Sequence, residues 1–306
     1  MCSSVQGVKA DLAMKVTEAD TPDRLITAVE ERRPALLEVI RRARHQITLS
    51  LFRCNDDEVL DELAAAADRG VAVDVLITSR AKGGKKKIEK LWRALERTRA
   101  TVRPYTDPVV KYHAKYLIAD DGPAVVASLN LTKKCFSKTC DAMVVTYDPA
   151  VVSGLRRLWE ADCVDAPMPD DVTDRLVVGP ERARRQLTTL VEQARSSIRL
   201  IDAKLSDPDL VSVLNARRAA GLTVEVFAAK RLGALKSHGK IMLIDDRTVV
   251  VGSLALTALS LDFRREVAIV VTEPSAVAEA VDLFAGLRTA SPERRDATGS
   301  VGEFLL

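Results

Sequence analysis

The sequence predicts an α/β fold made of two copies of one strand–helix–strand unit, and three observations support this prediction. Residues 47–78 and 198–229 align without a gap. Within each copy, apolar β-rich runs alternate with helical stretches, as in layered α/β folds. A second repeated block begins at residues 112 and 237 and places two of the chain's three histidines at matching positions. Repetition of this kind indicates two copies packed about a pseudo-twofold axis.

Each copy opens with a β-rich run, ITLSLF in the first and IRLIDA in the second. An acidic helix cap follows, Asp56 or Asp57 in the first copy and Asp207 in the second. Gly70 and Gly221 stand where a helix-terminating glycine belongs. The alternating runs VAVDVLI and LTVEVFA then predict a second strand.

The second block adds further strands and a closing helix to each copy. It starts after a longer connection in the first copy, which therefore carries about 26 extra residues. We predict a first repeat at 1–161 with a basic insertion at 80–112, a linker at 162–177 rich in proline and aspartate, a second repeat at 178–290 and a flexible tail at 291–306.

The amino-acid composition limits the classes of protein to which the chain can belong. Hydrophobic residues are 47% and charged residues 29%, which is typical of a globular protein with a substantial core and excludes disorder as the main state. No uncharged apolar stretch approaches 18 residues, and the start of the chain lacks a secretory pattern. Five cysteines, an odd number, suggest reduced thiols. We expect a cytoplasmic protein, able to contact a membrane peripherally. The net charge of +3 is too small for a general polycation.

The same short motif follows both matched histidines, while the third, His45, lies outside any such pattern and is expected to be structural. On an alternating strand, residues two apart share a face, so each histidine and its lysine point the same way. A symmetric pair of titratable groups is one way in which a fold builds an acid and a base. The two motifs are His113-x-Lys115-x4-Asp120 and His238-x-Lys240-x4-Asp245.

His-x-Lys-x4-Asp followed by Gly-Ser-x-Asn, present twice with one departure in each copy, resembles the HKD motif of the phospholipase D superfamily. The resemblance covers roughly residues 25–290. It implies two phospholipase D-like α/β/α sandwich repeats about a pseudo-twofold axis, with one shared active site. It also implies cleavage or transfer of phosphodiesters through a covalent phosphohistidine, with no metal and no cofactor. Both motifs lie in one chain, so a monomer is sufficient for a complete site.

The chemistry of the motif residues agrees with that implication. Lys115 and Lys240 are suited to neutralise the non-bridging oxygens of a phosphodiester. A neutral imidazole is a nucleophile near pH 7, and an imidazolium is an acid. The resemblance implies His113 as nucleophile and His238 as acid and base, although the near-symmetric sequence also allows the reverse.

Carboxylates and small polar residues complete the predicted site. The resemblance implies that Asp141 orients His238 and that Glu266 orients His113, each across the repeats; the alternative for both is a surface salt bridge. Asp120 and Asp245 are expected to bond backbone at the turn after each strand.

The small polar side chains are predicted to bind phosphate oxygens: Ser128, Asn130 and Ser253. The sequence departs from the family pattern at Ala127, in place of glycine, and at Ala255, in place of asparagine. We interpret both departures as tuning. Cys135 and Cys140 lack partners at metal-ligand spacing, so we predict no metal there.

The extra segment bears on the substrate, because residues 80–99 carry nine basic side chains against two acidic ones. A helix with Ile88, Leu91, Trp92 and Leu95 on one face suits an anionic bilayer or a nucleic-acid backbone. The alternative is a solvated face packed by its apolar stripe. The lysines expected to make the contact are Lys85, Lys86, Lys87 and Lys90.

We therefore expect a phospholipase D-type phosphodiesterase and phosphatidyltransferase that acts on phospholipid. A metal-independent nuclease of the same chemistry is the first alternative, and a nucleic-acid- or membrane-binding module without turnover is the second.

Overall fold

A computed structural model describes residues 21–79 and 85–290 of the 306-residue chain, without the side chains of Lys85 and Lys87. The start of the chain, residues 80–84 of the predicted insertion and the tail predicted at 291–306 lie outside this range. The described residues form alternating strands and helices, and the predicted α/β fold class is confirmed.

The elements of the first copy run as follows: β1 (Arg24–Ile26), α1 (Val29–Arg42), β2 (Gln46–Leu51), α2 (Asp57–Asp68), β3 (Ala72–Thr78), α3 (Lys85–Glu96), β4 (Thr101–Tyr105), β5 (Lys111–Tyr112), β6 (Tyr116–Ala119), β7 (Ala124–Ala127), α4 (Lys133–Ser137), β8 (Thr139–Cys140), β9 (Met143–Thr146) and α5 (Pro149–Cys163). Those of the second copy are β10 (Leu176–Gly179), α6 (Ala183–Glu192), β11 (Ser197–Ile201), α7 (Pro208–Ala219), β12 (Thr223–Phe227), β13 (Arg231–Leu232), β14 (Leu235–Ser237), β15 (Ile241–Ile244), β16 (Thr248–Gly252), α8 (Ala258–Phe263), β17 (Arg264–Val271) and α9 (Pro274–Ala290).

The first helix of each repeated unit starts and ends at the predicted signals. Asp56 caps α2 by accepting a hydrogen bond from the Val59 amide, and Asp207 caps α7 by accepting one from the Leu210 amide. Such caps satisfy amides that the first helical turn leaves unpaired. Gly70 and Gly221 follow these helices with φ of +89° and +92°, values that an L side chain rarely adopts.

The two main sheets have matching strand orders. The first runs β1-β9-β7-β6-β2-β3-β4, and the second runs β10-β17-β16-β15-β11-β12. In both sheets, the two strands that flank the first repeated helix pair in parallel, β2 with β3 and β11 with β12. The next strand on the other side pairs antiparallel, β6 with β2 and β15 with β11. The first sheet is extended by β4, which follows the basic helix α3 of the insertion.

Two short parallel ladders join the copies. Lys111 and Tyr112 of β5 pair with Arg264 and Arg265 of β17. The matching residues of β14 and β8 pair in the same way, Lys236 with Thr139 and Ser237 with Cys140. Each ladder therefore pairs the strand that leads to one histidine with the strand that leads to a carboxylate of the other copy.

A shared apolar core lies between the two sheets. It contains Leu155 and Leu158 of α5 together with Phe284 of α9 and strand residues of both copies. Separate clusters lie under α1 and α2 in the first copy and under α6 and α7 in the second. Burial of apolar surface on both faces of each sheet is the layered arrangement expected of an α/β fold.

The connection between the copies is shorter than the predicted linker, because α5 extends to Cys163 and β10 begins at Leu176. Asp162 lies in the last turn of α5 and is buried, and Nε of Arg265, in the second copy, donates to its carboxylate at 2.8 Å. Glu181 accepts from the same guanidinium at 2.6 Å. Residues 164–175 therefore form the connection, and a buried ion-pair cluster joins the copies beside it.

Candidate active site

The two ladders bring each histidine to a carboxylate of the other copy. Nδ1 of His113 lies 2.7 Å from Oε1 of Glu266. Nδ1 of His238 lies 2.9 Å from Oδ1 of Asp141. Both carboxylates are fully buried, so neither forms the surface salt bridge considered as the alternative. A carboxylate on one ring nitrogen fixes the tautomer and leaves the other nitrogen for chemistry.

His113 is partly buried beside an aromatic ring. The Phe52 ring packs edge-on against the imidazole with 4.4 Å between ring centroids, and the side chain is 20% exposed. Burial, followed by the nearby positive charge of Lys115, lowers the pKa of His113 to about 3, although Glu266 acts in the opposite direction. The imidazole of His113 is therefore neutral at pH 7.

Lys115 is held directly beside this ring. Its Nζ lies 3.2 Å from the imidazole nitrogens and donates to the His113 carbonyl at 2.8 Å. Burial lowers the pKa of Lys115 to about 7, with Lys240 adding to the effect. Its counterpart Lys240 is only partly buried and donates to the carbonyl of His238. The two lysines thus serve matching positions in different environments.

Asp141 is held by hydrogen bonds from its own copy. Ser128 Oγ donates to Oδ1 at 2.7 Å and Thr139 Oγ1 donates to Oδ2 at 2.6 Å. Burial alone would raise the pKa of Asp141, but His238 and these hydroxyls hold it below its usual value. Asp141 is therefore charged and stays aligned with His238.

Glu266 is held differently. Ser260 Oγ donates to Oε2, and Nη1 of Arg264 lies 3.6 Å from Oε1. Burial would raise the pKa of Glu266, but His113 and Lys115 hold it below its usual value.

The two serines that were predicted to bind phosphate oxygens instead use their hydroxyls for hydrogen bonds within the protein. Both are fully buried, and Ser253 Oγ donates to the Val267 carbonyl at 3.3 Å and accepts from its amide at 3.1 Å. Ser128 Oγ likewise accepts from the Ala142 amide at 3.0 Å, but its proton goes to Asp141 Oδ1 at 2.7 Å. These hydroxyls are committed to the strands that carry the carboxylates. Asn130 is 8% exposed and lines a cavity with Lys115, and its Oδ1 has no hydrogen-bond partner in the described part of the chain.

Asp120 and Asp245 end their strands and bond backbone. Asp120 accepts from the amides of residues 44–46, and Asp245 accepts from those of residues 195–197. Each carboxylate therefore ties the strand after its histidine to the start of a neighbouring central strand. Both lie away from the histidine–carboxylate pairs of the site.

Two further cations near the site were not identified from the sequence. Burial, followed by the nearby Lys240 and Arg264, lowers the pKa of Lys204. Arg264 precedes Glu266 by two residues and stands where the first copy has Thr139. Lys204 matches Arg53 in the repeat alignment, so comparison of the copies residue by residue is the signal that reveals both positions.

One group of three metal-type ligands occurs within residues 21–79 and 85–290. Sγ of Cys135 and ligand atoms of Asp141 and His238 lie within 4.8 Å of one another. The hydrogen bonds from Ser128 and Thr139 already occupy the Asp141 oxygens. We assign no metal to this group.

The basic helix α3 turns its apolar stripe inward. Leu91 and Leu95 are buried, and Ile88 and Trp92 pack against the core of the first copy. Trp92 Nε1 donates to Glu96 at 2.7 Å. This packing is the arrangement considered as the alternative, in which the apolar stripe packs inward and the basic face is solvated. Lys86 and Lys90 are exposed. A bilayer-spanning helix is not found among residues 21–79 and 85–290.

Comparisons with known proteins place this geometry in a family. The family model described as the PLD-like domain of cardiolipin synthase matches residues 36–163 and 219–288, together more than half of the chain. Cardiolipin synthase A of Pseudomonas aeruginosa (strain LESB58) is 30% identical over 131 residues, which are 42% of this chain and 27% of that protein. The match thus spans about a quarter of the curated relative.

Two solved structures share the fold. Polyphosphate kinase from Porphyromonas gingivalis aligns with a TM-score of 0.68 at 19% identity, covering 86% of this chain and 50% of that one. Phosphatidylserine synthase from Haemophilus influenzae aligns with a TM-score of 0.67 at 13% identity, covering 88% and 86%. The family match, together with the paired histidines and carboxylates, shows that the chain belongs to the PLD-like domain family of cardiolipin synthase, within the phospholipase D superfamily.

Proposed function

We propose that the chain is a phospholipase D-type phosphodiesterase and phosphatidyltransferase that cleaves a phospholipid phosphodiester through a covalent phosphohistidine. The observation that carries the proposal is the pair of histidines, each aligned by a buried carboxylate of the other copy and each beside a lysine. The family match and the names of the relatives, cardiolipin synthase and phosphatidylserine synthase, support a phospholipid substrate.

In the first step, neutral His113 attacks phosphorus, so a P–N bond forms as the P–O bond to the leaving group breaks. His238, protonated on the nitrogen that does not face Asp141, donates its proton to the departing oxygen. Lys115 and Lys240 stabilise the charge on the non-bridging oxygens. Burial and Lys115 lower the pKa of His113, so its imidazole is neutral at pH 7 and has a free lone pair, as the nucleophile role requires.

In the second step, water or an alcohol attacks the phosphohistidine. His238 takes the proton of the incoming hydroxyl, the new P–O bond forms, and the P–N bond to His113 breaks. Water gives hydrolysis and an alcohol gives transfer, so one site supports both reactions.

The test is a turnover assay in EDTA with two arms, phospholipid vesicles with a primary alcohol and DNA in single- and double-stranded form. We expect headgroup release and a phosphatidyl-alcohol from vesicles. Cleavage of DNA without turnover of phospholipid would support the nuclease alternative. Absence of turnover in both arms would support the binding module.

His113→Ala and His238→Ala assign the two roles. With a p-nitrophenyl phosphodiester, whose leaving group needs no acid, we expect His238→Ala to release about one equivalent of nitrophenol and then stall as phosphohistidine. We expect His113→Ala to show no burst and to lose about 10⁴-fold or more in turnover. The opposite pattern would make His238 the nucleophile.

A further inference from the structure

The approaches to the two halves of the site differ in chemistry although their backbones match. Helix α4 leads to Asp141 and helix α8 leads to Glu266. At matching positions, α4 and the residue after it present Lys134 and Lys138, whereas α8 presents Leu259 and Phe263. All four are exposed.

The apolar lip is defined here as Val109, Leu259 and Phe263. These are 65%, 45% and 50% exposed and are three of the four large hydrophobic side chains that the described residues expose. Lys111 pairs with Arg264 in the cross-copy ladder, which places the segments just before them, with Val109 and Phe263, at the same end. Phe263 precedes Glu266 by three residues, roughly 10 Å of extended chain. The apolar lip therefore adjoins the His113 half.

The basic lip is defined here as five exposed cations, none of which has an ion-pair partner within residues 21–79 and 85–290. The backbone joins them, because the Lys236 amide donates to the Lys138 carbonyl at 2.9 Å and the Ser237 amide donates to the Lys230 carbonyl at 3.1 Å. The segments 132–140 and 228–240 that carry them contain no acidic residue. The members are Lys134, Lys138, Lys230, Arg231 and Lys236.

We propose that the two lips together form a docking surface for an anionic phospholipid bilayer, which orients the mouth of the site toward the membrane. The proposal rests on the phospholipid substrate proposed above. Apolar side chains that enter the headgroup region and cations that attract anionic lipid are the two components of peripheral membrane binding. A nucleic-acid backbone would be matched by cations on both sides and gives no reason to expose the aliphatic side chains Val109 and Leu259.

The first test removes the apolar side chains of the lip without adding charge. For Leu259→Ser/Phe263→Ser, we expect sedimentation with phosphatidylcholine–phosphatidylglycerol vesicles to weaken about tenfold or more. We also expect turnover on those vesicles to fall about tenfold further than turnover of a water-soluble short-chain diester. The matched control is Val164→Ser, at an exposed valine (73%) outside both lips, with binding like the wild type.

The second test removes charge from the basic lip. Lys134→Ala/Lys138→Ala is expected to bind phosphatidylglycerol-containing vesicles about tenfold more weakly at low salt and pure phosphatidylcholine almost unchanged. The control Arg185→Ala/Arg247→Ala removes two exposed cations outside both lips.

A third test reports insertion of the apolar lip into the bilayer. We expect the fluorescence of Phe263→Trp to shift to the blue when vesicles are added, whereas the fluorescence of Val164→Trp does not shift.

The outcomes separate this proposal from the proposed function. Wild-type protein that ignores all vesicles, or lip variants that bind and turn over vesicles like the wild type, would overturn the docking surface. Phospholipid turnover that survives in His113→Ala would overturn the catalytic proposal and leave the docking surface standing. His113→Ala that binds vesicles normally without turning over phospholipid supports both.

Discussion

The two halves of the site share a scaffold and differ in their neighbours. The same two-residue ladder delivers His113 to Glu266 and His238 to Asp141. The ring of Phe52 packs against His113, whereas the second copy has Ala203 at the matching sequence position. His113 is 20% exposed and His238 is 33% exposed. Backbone symmetry thus sets where the histidines and carboxylates lie, while unmatched neighbours give the two histidines different surroundings.

The supporting groups also differ between the halves. Asp141 receives two hydroxyl hydrogen bonds, and no cation pairs with it among the described residues except through His238. Glu266 has one hydroxyl donor and the guanidinium of Arg264 nearby. The two carboxylates are therefore held in place by different donors.

Among the groups that surround the two histidines, the crossed carboxylates are expected to have the largest effect. Glu266→Gln and Asp141→Asn each keep the shape and lose the charge, and we expect each to lower steady-state turnover about 100-fold. Without the charge of Glu266, the imidazole of His113 becomes a weaker base and the nitrophenol burst slows. Asp141→Asn keeps the burst and slows the second step. Equal effects on both steps would mean that the halves are not specialised.

The next effect is on the pH profile. Burial and Lys240 lower the pKa of Lys115 to about 7, so this lysine loses its proton as the pH rises through that value. We expect kcat/KM for a soluble diester to fall above pH 7, approaching about tenfold per pH unit. Lys115→Arg, whose guanidinium stays charged, is expected to lose this decline even with lower activity. A decline that persists in Lys115→Arg would assign it to another group.

The smallest effect on activity is expected for Asp120 and Asp245, which make the same backbone hydrogen bonds in the two halves. Burial would raise the pKa values of Asp120 and Asp245, but backbone amides lower them, that of Asp245 to about 2. A depressed carboxyl pKa stabilises the fold above the unfolded value near 3.8, and that stability is lost as the pH falls from about 4 to about 2. Asp120→Asn and Asp245→Asn should each cost about 1–3 kcal/mol in unfolding free energy, measured by urea titration. A change in kcat with unchanged stability would contradict this structural role.

The sequence was informative where one residue type carries the argument. The helix caps Asp56 and Asp207 and the glycines after the helices follow local rules that hold regardless of the rest of the chain. The crossed pairing of His113 with Glu266 came from family resemblance, because spacing along a chain does not tell which copy a side chain faces.

Side-chain environment was the part that the sequence did not reveal. Ser128 and Ser253 have the chemistry of phosphate donors, but the fold turns their hydroxyls to buried strands. Trp92 on a basic helix resembles a membrane anchor, but tertiary packing places it against the core. Both outcomes depend on which face of an element the rest of the protein covers, and no local pattern contains that information.

The crossed ladders also determine what a single copy can do. Cutting the chain within residues 164–175 would leave two fragments, each with one histidine and one carboxylate that belong to different catalytic pairs. Neither fragment alone could align its own imidazole, so regained turnover in a mixture would measure reassociation across the ladders. In the intact chain the connection replaces that bimolecular encounter with a high effective concentration. In this respect the chain resembles a dimer whose two subunits are covalently joined and differ in sequence.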